Sequence, residues 1–257
     1  MKHISSAHND ALKTLERLLG KPAERRRSGL LALEGLHLVD AYLRAGHTLD
    51  ALYLREDALA HPEVVALLGR IGTACDCATV SAPLLGKVSE LSSPPEVVAV
   101  ARIPQAMAVA DPSCILLDDV QDPGNLGTLL RTAAAADVRS VYLSRGCADV
   151  WAGKTLRAGM GAQFALAIHE RADLPAVLSA FDGRRLVTHL SGSVPLWQLD
   201  LRGPCAFVFG NEGAGVSGAV LAEAGDRVRI PMPGEAESLN VAAAAAICLF
   251  ERVRQRG

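Results

Sequence analysis

The sequence predicts an α/β protein in two parts: a small α/β domain over residues 1–104 and a larger domain with a mostly parallel sheet over residues 113–257. Three observations carry that expectation. Short apolar runs alternate with helical stretches along most of the chain, the pattern of strands covered on both faces. The stretch "RIPQAMAVADP", residues 102–112, holds two prolines and little periodicity, so residues 105–112 read as a linker. A chain of 257 residues also has room for two cores.

In the first part a helix is expected over residues 6–19, followed by the basic turn "GKPAERRRSG". A strand at 30–33, a helix at 36–45 and a strand at 49–54 come next. A helical region at 62–68 leads to a strand near Ala78, and "EVVAVARI" is the last strand. The second part places strands at 114–117, 140–143, 165–168, 186–189, 206–209 and 227–230, with helical stretches between several of them.

Composition narrows the function classes. Hydrophobic residues make up 50 % and charged residues 21 %, a globular balance, and the net charge is −2. The total charge therefore argues for no particular partner, although a local basic patch is compatible with it. The six cysteines, at 75, 77, 114, 147, 205 and 248, form no CxxC pair, and the histidines form no HxxxH or HExxH pattern. Reduced, buried thiols and no metal are expected. No window approaches a membrane span and the N-terminus has no apolar signal region, so a cytoplasmic protein is expected.

Three motifs at strand ends carry the chemistry. In "LDDVQDPGNLGTLLRTAAAADV", Asp122-Pro-Gly breaks the chain after a strand, and Asn125 reads as the N-cap of a helix. Leu126, Leu129, Leu130, Ala133 and Ala134 form its buried stripe. Arg131 lies off that stripe, with Gly127 one turn before it leaving space beneath the guanidinium. The strand–turn–helix suggests an anion or ligand at the helix N-terminus, yet no GxxxxGK[ST] is present. In "AFVFGNEGAGVS" a strand runs into a glycine-rich loop, with Ser217 available to cap the next helix and Gly225 to end it. Gly213, Gly215 and Gly218 match GxGxxG, the signature of a dinucleotide oxidoreductase. Asn211 and Glu212 intervene before the first glycine, however, and no acidic residue ends the next strand, which leaves that match weak. In "RIPMPGEAESLNVAAAAAICLFERVR", Pro231 and Pro233 prevent regular pairing and leave backbone groups free to read a flat heterocycle. Ser238 or Asn240 can cap the alanine-rich helix that follows, and Arg252 and Arg254 suit its C-terminal end.

Together, "NLGTLLRTAAAADV", "FVFGNEGAGVS" and "IPMPGEAESLNVAAA" resemble the SpoU (TrmH) family of RNA ribose 2'-O-methyltransferases, within the SPOUT superfamily. The resemblance covers residues 113–257. "LALEGLHLVDAYLRAG" resembles, more loosely, the small substrate-binding domain that often precedes it. The resemblance implies a SPOUT-type α/β fold with a C-terminal trefoil knot, preceded by a small α/β (L30e-like) domain. It implies S-adenosyl-L-methionine as cofactor, held by Phe209, Gly210, Asn211, Ile230, Met232 and Leu239, in a homodimer whose subunits complete the active sites. Asn125, Arg131, Glu212, Ser238 and Asn240 correspond to the catalytic constellation. Arg131's counterpart is proposed in the family as a general base. A guanidinium keeps its proton in proteins, so an electrostatic role toward the developing alkoxide or an adjoining phosphate is the preferred reading.

An RNA substrate, rRNA ahead of tRNA, directs attention to basic residues. Arg25, Arg26 and Arg27, with Lys21, form the densest basic run, and Lys154 and Arg157 lie three apart on a predicted helix. These are expected to face phosphates, with a solvated turn and intersubunit pairing as the respective alternatives. A non-catalytic RNA-binding protein that keeps the fold is the competing class. Intact Arg131, Glu212 and Asn240 argue against it.

Overall fold

The structure, a computed structural model, describes residues 1–189, 193–235 and 237–257. It divides into two compact units: Met1–Pro104 with Trp151–Phe164, and Gln105–Val150 with Ala165–Gly257.

The first unit contains β1 (Lys2–Ile4), α1 (Asp10–Gly20), α2 (Pro22–Ser28), β2 (Leu30–Glu34), α3 (Leu36–Arg44) and β3 (Leu49–Arg55). It continues with α4 (Pro62–Ile71), β4 (Asp76–Val80), α5 (Ala82–Val88) and β5 (Val97–Arg102). Its five-stranded mixed sheet has the order β1-β4-β3-β5-β2. Helix α1 starts at Asp10 rather than residue 6 because the Asn9 side chain caps it, accepting from the Ala11 N–H at 2.9 Å. Its Leu12, Leu15, Leu18 and Leu19 form one buried stripe against the sheet.

The expected basic turn is instead helix α2. Pro22 opens it and Gly29, at φ 67°, closes it in the left-handed region, the usual asymmetry of proline first and glycine last. This helix corrects the reading of Arg25 as an RNA contact. Arg25 is buried, and its guanidinium donates to the carbonyls of Leu18 and Leu19 (2.7 Å for the latter), satisfying the open end of α1. Arg25→Ala is expected to lower the unfolding free energy by about 2 kcal/mol, the scale of a lost charged hydrogen bond, and to leave RNA affinity unchanged. Urea denaturation beside RNA titration checks this; unchanged stability with weakened RNA binding would reverse the assignment.

The second unit contains β6 (Cys114–Leu117), α6 (Pro123–Ala135) and β7 (Ser140–Leu143) before the chain contributes α7 (Gly153–Ala158) to the first unit. It resumes with β8 (Ala167–His169), α8 (Leu174–Ser179), β9 (Arg184–Thr188), β10 (Val194–Pro195), β11 (Cys205–Phe209), α9 (Gly218–Ala222), β12 (Asp226–Arg229) and α10 (Val241–Arg256). All pairings in its seven-stranded sheet, β10-β12-β9-β11-β6-β7-β8, are parallel. The chain builds β7 and β8 to one side of β6, then crosses to the other side for β9 onward. β6 and β11 therefore flank a topological switch point, where parallel sheets open a crevice at their carboxyl ends. Cys114, Leu116, Ala206 and Val208 of these two strands are buried in one apolar cluster.

Helix α10 packs along α6. Arg252, expected to suit the helix C-terminus, is buried instead and bonds to Asp111 (2.9 Å) and the Ser113 hydroxyl (2.7 Å). Arg254 pairs with Glu251 at 2.8 Å. Of the six thiols, all free, only Cys114, Cys205 and Cys248 are buried; Cys75, Cys77 and Cys147 are partly exposed. Among the described residues no helix is long and apolar enough to cross a membrane.

Candidate active site

Helix α6 begins two residues before Asn125. Asp122 is its N-cap, accepting from the Asn125 N–H at 2.8 Å, and Pro123 occupies the first turn. That corrects the reading of Asn125 as the cap and frees its side chain. Its amide donates to Glu212 Oε1 at 2.9 Å, and its Oδ1 accepts from the Asn240 amide at 2.9 Å. The polarity of this chain follows from its end: a carboxylate only accepts, so Asn125 must present its NH₂ to Glu212 and its oxygen to Asn240. Asn240 is left with its own oxygen, which caps α10 through the N–H groups of Ala242 (2.9 Å) and Ala243 (3.3 Å). Three segments far apart in sequence are thus joined at the ends of β6 and β11.

Burial alone would raise the Glu212 pKa. The Asn125 amide and the backbone N–H groups of Glu212, Asp122 and Gln121 outweigh it and hold the carboxyl below its usual value. Glu212 is therefore ionised at neutral pH.

The loop after β11 is rigid. Asn211 and Gly215 exchange two backbone hydrogen bonds of 2.9 Å each. The Asn211 side chain accepts from Gly213 and Ala214 N–H and donates to the Asp119 carbonyl, all at 2.9 Å. Ser217 precedes α9 without capping it by its side chain, and its N–H is taken by the buried Asp118 at 2.8 Å. α9 ends at Ala222, before Gly225.

Beside the polar chain lies a cavity of about 360 Å³ at the carboxyl ends of β9, β11 and β12. Gly210, Asn211, Ile230, Met232, Ser238 and Leu239 line it, with Glu212 and Asn240 at one side. Phe209 does not. It is fully buried in the sheet, and its carbonyl accepts from the Asp118 N–H at 2.9 Å, so it supports Gly210 from beneath. Thr188, His189, Val216 and Arg229 also line the cavity. Val216 and Arg229 belong to the second and third motifs, although neither was singled out; no motif pointed to Thr188 and His189, which only the sheet order brings to the other strand ends.

Arg131 is exposed on α6, outside the cavity lining, and its guanidinium has no partner among the described residues. Ser238 is likewise exposed. In the first unit Arg26, Arg27 and Lys154 are exposed, and Arg27 pairs with Glu24 at 2.5 Å. Arg157 is committed elsewhere, donating to the buried Glu34 at 3.2 Å. Burial raises the Glu34 pKa, opposed by the Ser89 hydroxyl, the Glu90 N–H and the Arg157 charge. Arg157 thus compensates a buried carboxylate while its side chain stays partly exposed.

Residues 112–250 match the model of the SpoU rRNA Methylase family, more than half of the chain. The chain belongs to that family. Residues 9–99 match the MRM3-like substrate binding domain. The 23S rRNA (guanosine(2553)-2'-O)-methyltransferase RlmP of Bacillus subtilis is 33 % identical over 97 % of this chain and 98 % of its own length. The 23S rRNA (uridine(2479)-2'-O)-methyltransferase of Streptomyces viridochromogenes is 28 % identical over 98 % of this chain and 92 % of its own. Among solved structures, the SpoU methyltransferase AviRb from the same species, in complex with AdoMet, superposes with a TM-score of 0.85 at 27 % identity, covering 97 % of this chain and 98 % of that one. An AdoMet-bound rRNA methyltransferase from Sinorhizobium meliloti gives 0.83 at 30 % identity, covering 98 % and 97 %. As a SpoU-family member this chain is a methyltransferase, and the glycine triplet is a feature of its loop rather than a dinucleotide site.

Proposed function

We propose that this protein transfers a methyl group from S-adenosyl-L-methionine to a ribose 2'-hydroxyl of ribosomal RNA, in the cytoplasm. The observation that carries the reading is the Asn125–Glu212–Asn240 hydrogen-bonded chain set at the side of the cavity. The cavity fits the cofactor in size, since small-molecule sites run from about 300 to 1,000 Å³. It fits in chemistry too: the irregular backbone at Ile230–Met232 offers N–H and C=O groups to a heterocycle, and Leu239 and Met232 offer apolar surface. When bound, the cofactor supplies a methyl group already activated by its sulfonium.

What remains for the protein is alignment and charge. Asn125, locked between Glu212 and Asn240, positions the ribose, and Ser238 adds a hydroxyl at the same mouth. As the 2'-oxygen bonds to the methyl carbon and the carbon–sulfur bond breaks, the hydroxyl proton passes to solvent water. Arg131 stabilises the negative charge that develops on the oxygen; a permanently charged guanidinium does so without acting as a base. Recognition of a 2'-hydroxyl also separates RNA from DNA.

We assign RNA engagement to the first unit and catalysis to residues 113–257, with 105–112 as the linker and Arg26, Arg27 and Lys154 as phosphate contacts. We further propose a trefoil knot in which the 230–240 segment passes the 210–217 loop before α10 packs on α6. The working enzyme is proposed to be a homodimer. Support comes from the outer face of α10, where Phe250 and Val253 stand 48 % and 39 % exposed.

The test is incubation with methyl-labelled S-adenosylmethionine and rRNA lacking the modification, followed by nuclease digestion. Label in a 2'-O-methyl nucleotide of rRNA is expected. Label only in tRNA would redirect the substrate assignment, and absence of cofactor binding would overturn the reading.

A further inference from the structure

The cavity and the polar chain occupy one half of the parallel sheet's carboxyl edge; the other half, at β7 and β8, has a charge pattern of its own. These strands are parallel neighbours, with Tyr142 opposite His169. Their pairing runs past the strand ends, where the Ala172 N–H donates to the Leu143 carbonyl at 2.8 Å. Each strand delivers an arginine two residues beyond its last: Arg145 after Leu143, Arg171 after His169. Both are exposed, and neither has a hydrogen-bond or ion-pair partner among the described residues. The adjacent carboxylates Asp149 and Glu170 have partners of their own.

The Arg145 loop is tied to the turn that carries the catalytic chain. Ser144 N–H donates to the Leu117 carbonyl at 3.0 Å, and its hydroxyl accepts from the Asp119 N–H at 2.9 Å. Ala148 N–H reaches the Val120 carbonyl at 2.9 Å. Asp119 itself sits in the left-handed region at φ 59°, and its carbonyl takes the Asn211 amide. A Cβ at Gly146 would overlap the Asp119 carboxylate, so the loop is in close contact there. The Arg145 loop is thereby bonded to the turn that leads into Asn125, and that turn also takes the Asn211 amide.

We propose that Arg145 and Arg171 form a phosphate track for the RNA backbone beside the methylated nucleotide, running along the sheet edge from β6 past β7 to β8. The proposal rests on the rRNA methylation reading. The two arginines, unpaired among the described residues, leave neighbouring strands whose backbones lie about 5 Å apart, and a phosphate accepts the bidentate fork that each guanidinium offers. Asp119, against which the Arg145 loop packs at Gly146, is engaged by the Gln121 amide at 3.1 Å.

The experiment compares the unaltered protein with Arg145→Ala, Arg171→Ala and the double variant on in-vitro-transcribed rRNA, measuring RNA binding against salt, methyl transfer and S-adenosylmethionine affinity. The double variant is expected to raise the KM for RNA about tenfold or more and to lessen the salt slope of RNA binding by about 1 per arginine. Its kcat at saturating RNA and its cofactor affinity should stay unchanged, which also reports an intact fold. The double lysine variant should keep the slope. RNA affinity and salt slope equal to those of the unaltered protein would overturn the track. Should the unaltered protein methylate no rRNA, the enzymatic reading fails separately, and the salt slope still decides the track.

Discussion

Arg131→Ala is expected to lower kcat by about 10²–10³-fold, the scale of removing one group that stabilises a developing oxyanion, with little change in cofactor affinity. The guanidinium stands outside the cavity lining, so its loss leaves the binding surface whole. Its exposure also means that truncation leaves no buried group unsatisfied, and stability should change by less than about 0.5 kcal/mol. Single-turnover transfer beside cofactor titration separates the two quantities. Arg131→Lys distinguishes the two roles proposed for this position. If the side chain acts by charge, lysine should retain part of the rate with an unchanged pH profile, lacking only the planar fork. If it acts as a base, the lower intrinsic pKa of an ammonium should move the alkaline rise of the rate to lower pH. A wild-type rate in Arg131→Ala would remove this residue from catalysis altogether.

Gly210→Ala is expected to weaken cofactor binding strongly. An added Cβ would overlap the Gly215 backbone and lie 2.5 Å from the Val216 nitrogen. The loop cannot step aside cheaply, because the Asn211–Gly215 exchange and the Asn211 side chain hold it at both ends. Overpacking of this kind costs about 1–3 kcal/mol, which corresponds to a loss of affinity of about 5- to 150-fold if it falls on the bound conformation. Gly213→Ala is the control. Its Cβ would approach only the Asn211 side-chain oxygen, at 3.6 Å, and ordinary contact there predicts near-normal binding. Titration calorimetry with S-adenosylmethionine checks both; equal affinity in the two variants would mean that the loop does not wall the cofactor site.

Much of this was legible along the chain. The strand positions of the second unit were readable because buried parallel strands are short apolar runs, and those at 114–117 and 140–143 coincide with the observed strands. The three strand-end motifs were readable as loops because proline and glycine interrupt regular pairing. Helix α2 was legible as well, since Pro22 and Gly29 bracket it, but its three arginines drew attention to charge and away from that bracket. The two-residue shift at Asn125 had a local cause, a proline preceded by an aspartate, which caps a helix as readily as asparagine does.

Other features had no local signature. Arg25 and Arg157 look in sequence like surface charges; Arg25 is buried against the carbonyls that end α1, and Arg157, partly exposed, pairs with the buried Glu34 from a distant segment. The cavity residues Thr188 and His189 belong to no motif, and they meet Gly210 only because the chain crosses the sheet before building β9 and β12.

By itself, then, the sequence determined the α/β class, the three functional loops and the identities of Asn125, Glu212 and Asn240, since these depend on local periodicity, turn chemistry and residue type. The tertiary structure alone decided that these three side chains form one polarised hydrogen-bond chain, and which arginines stay free for a polyanion. Those outcomes depend on strand order and burial, and contacts between residues 87 or 115 positions apart leave no trace in the pattern of near neighbours.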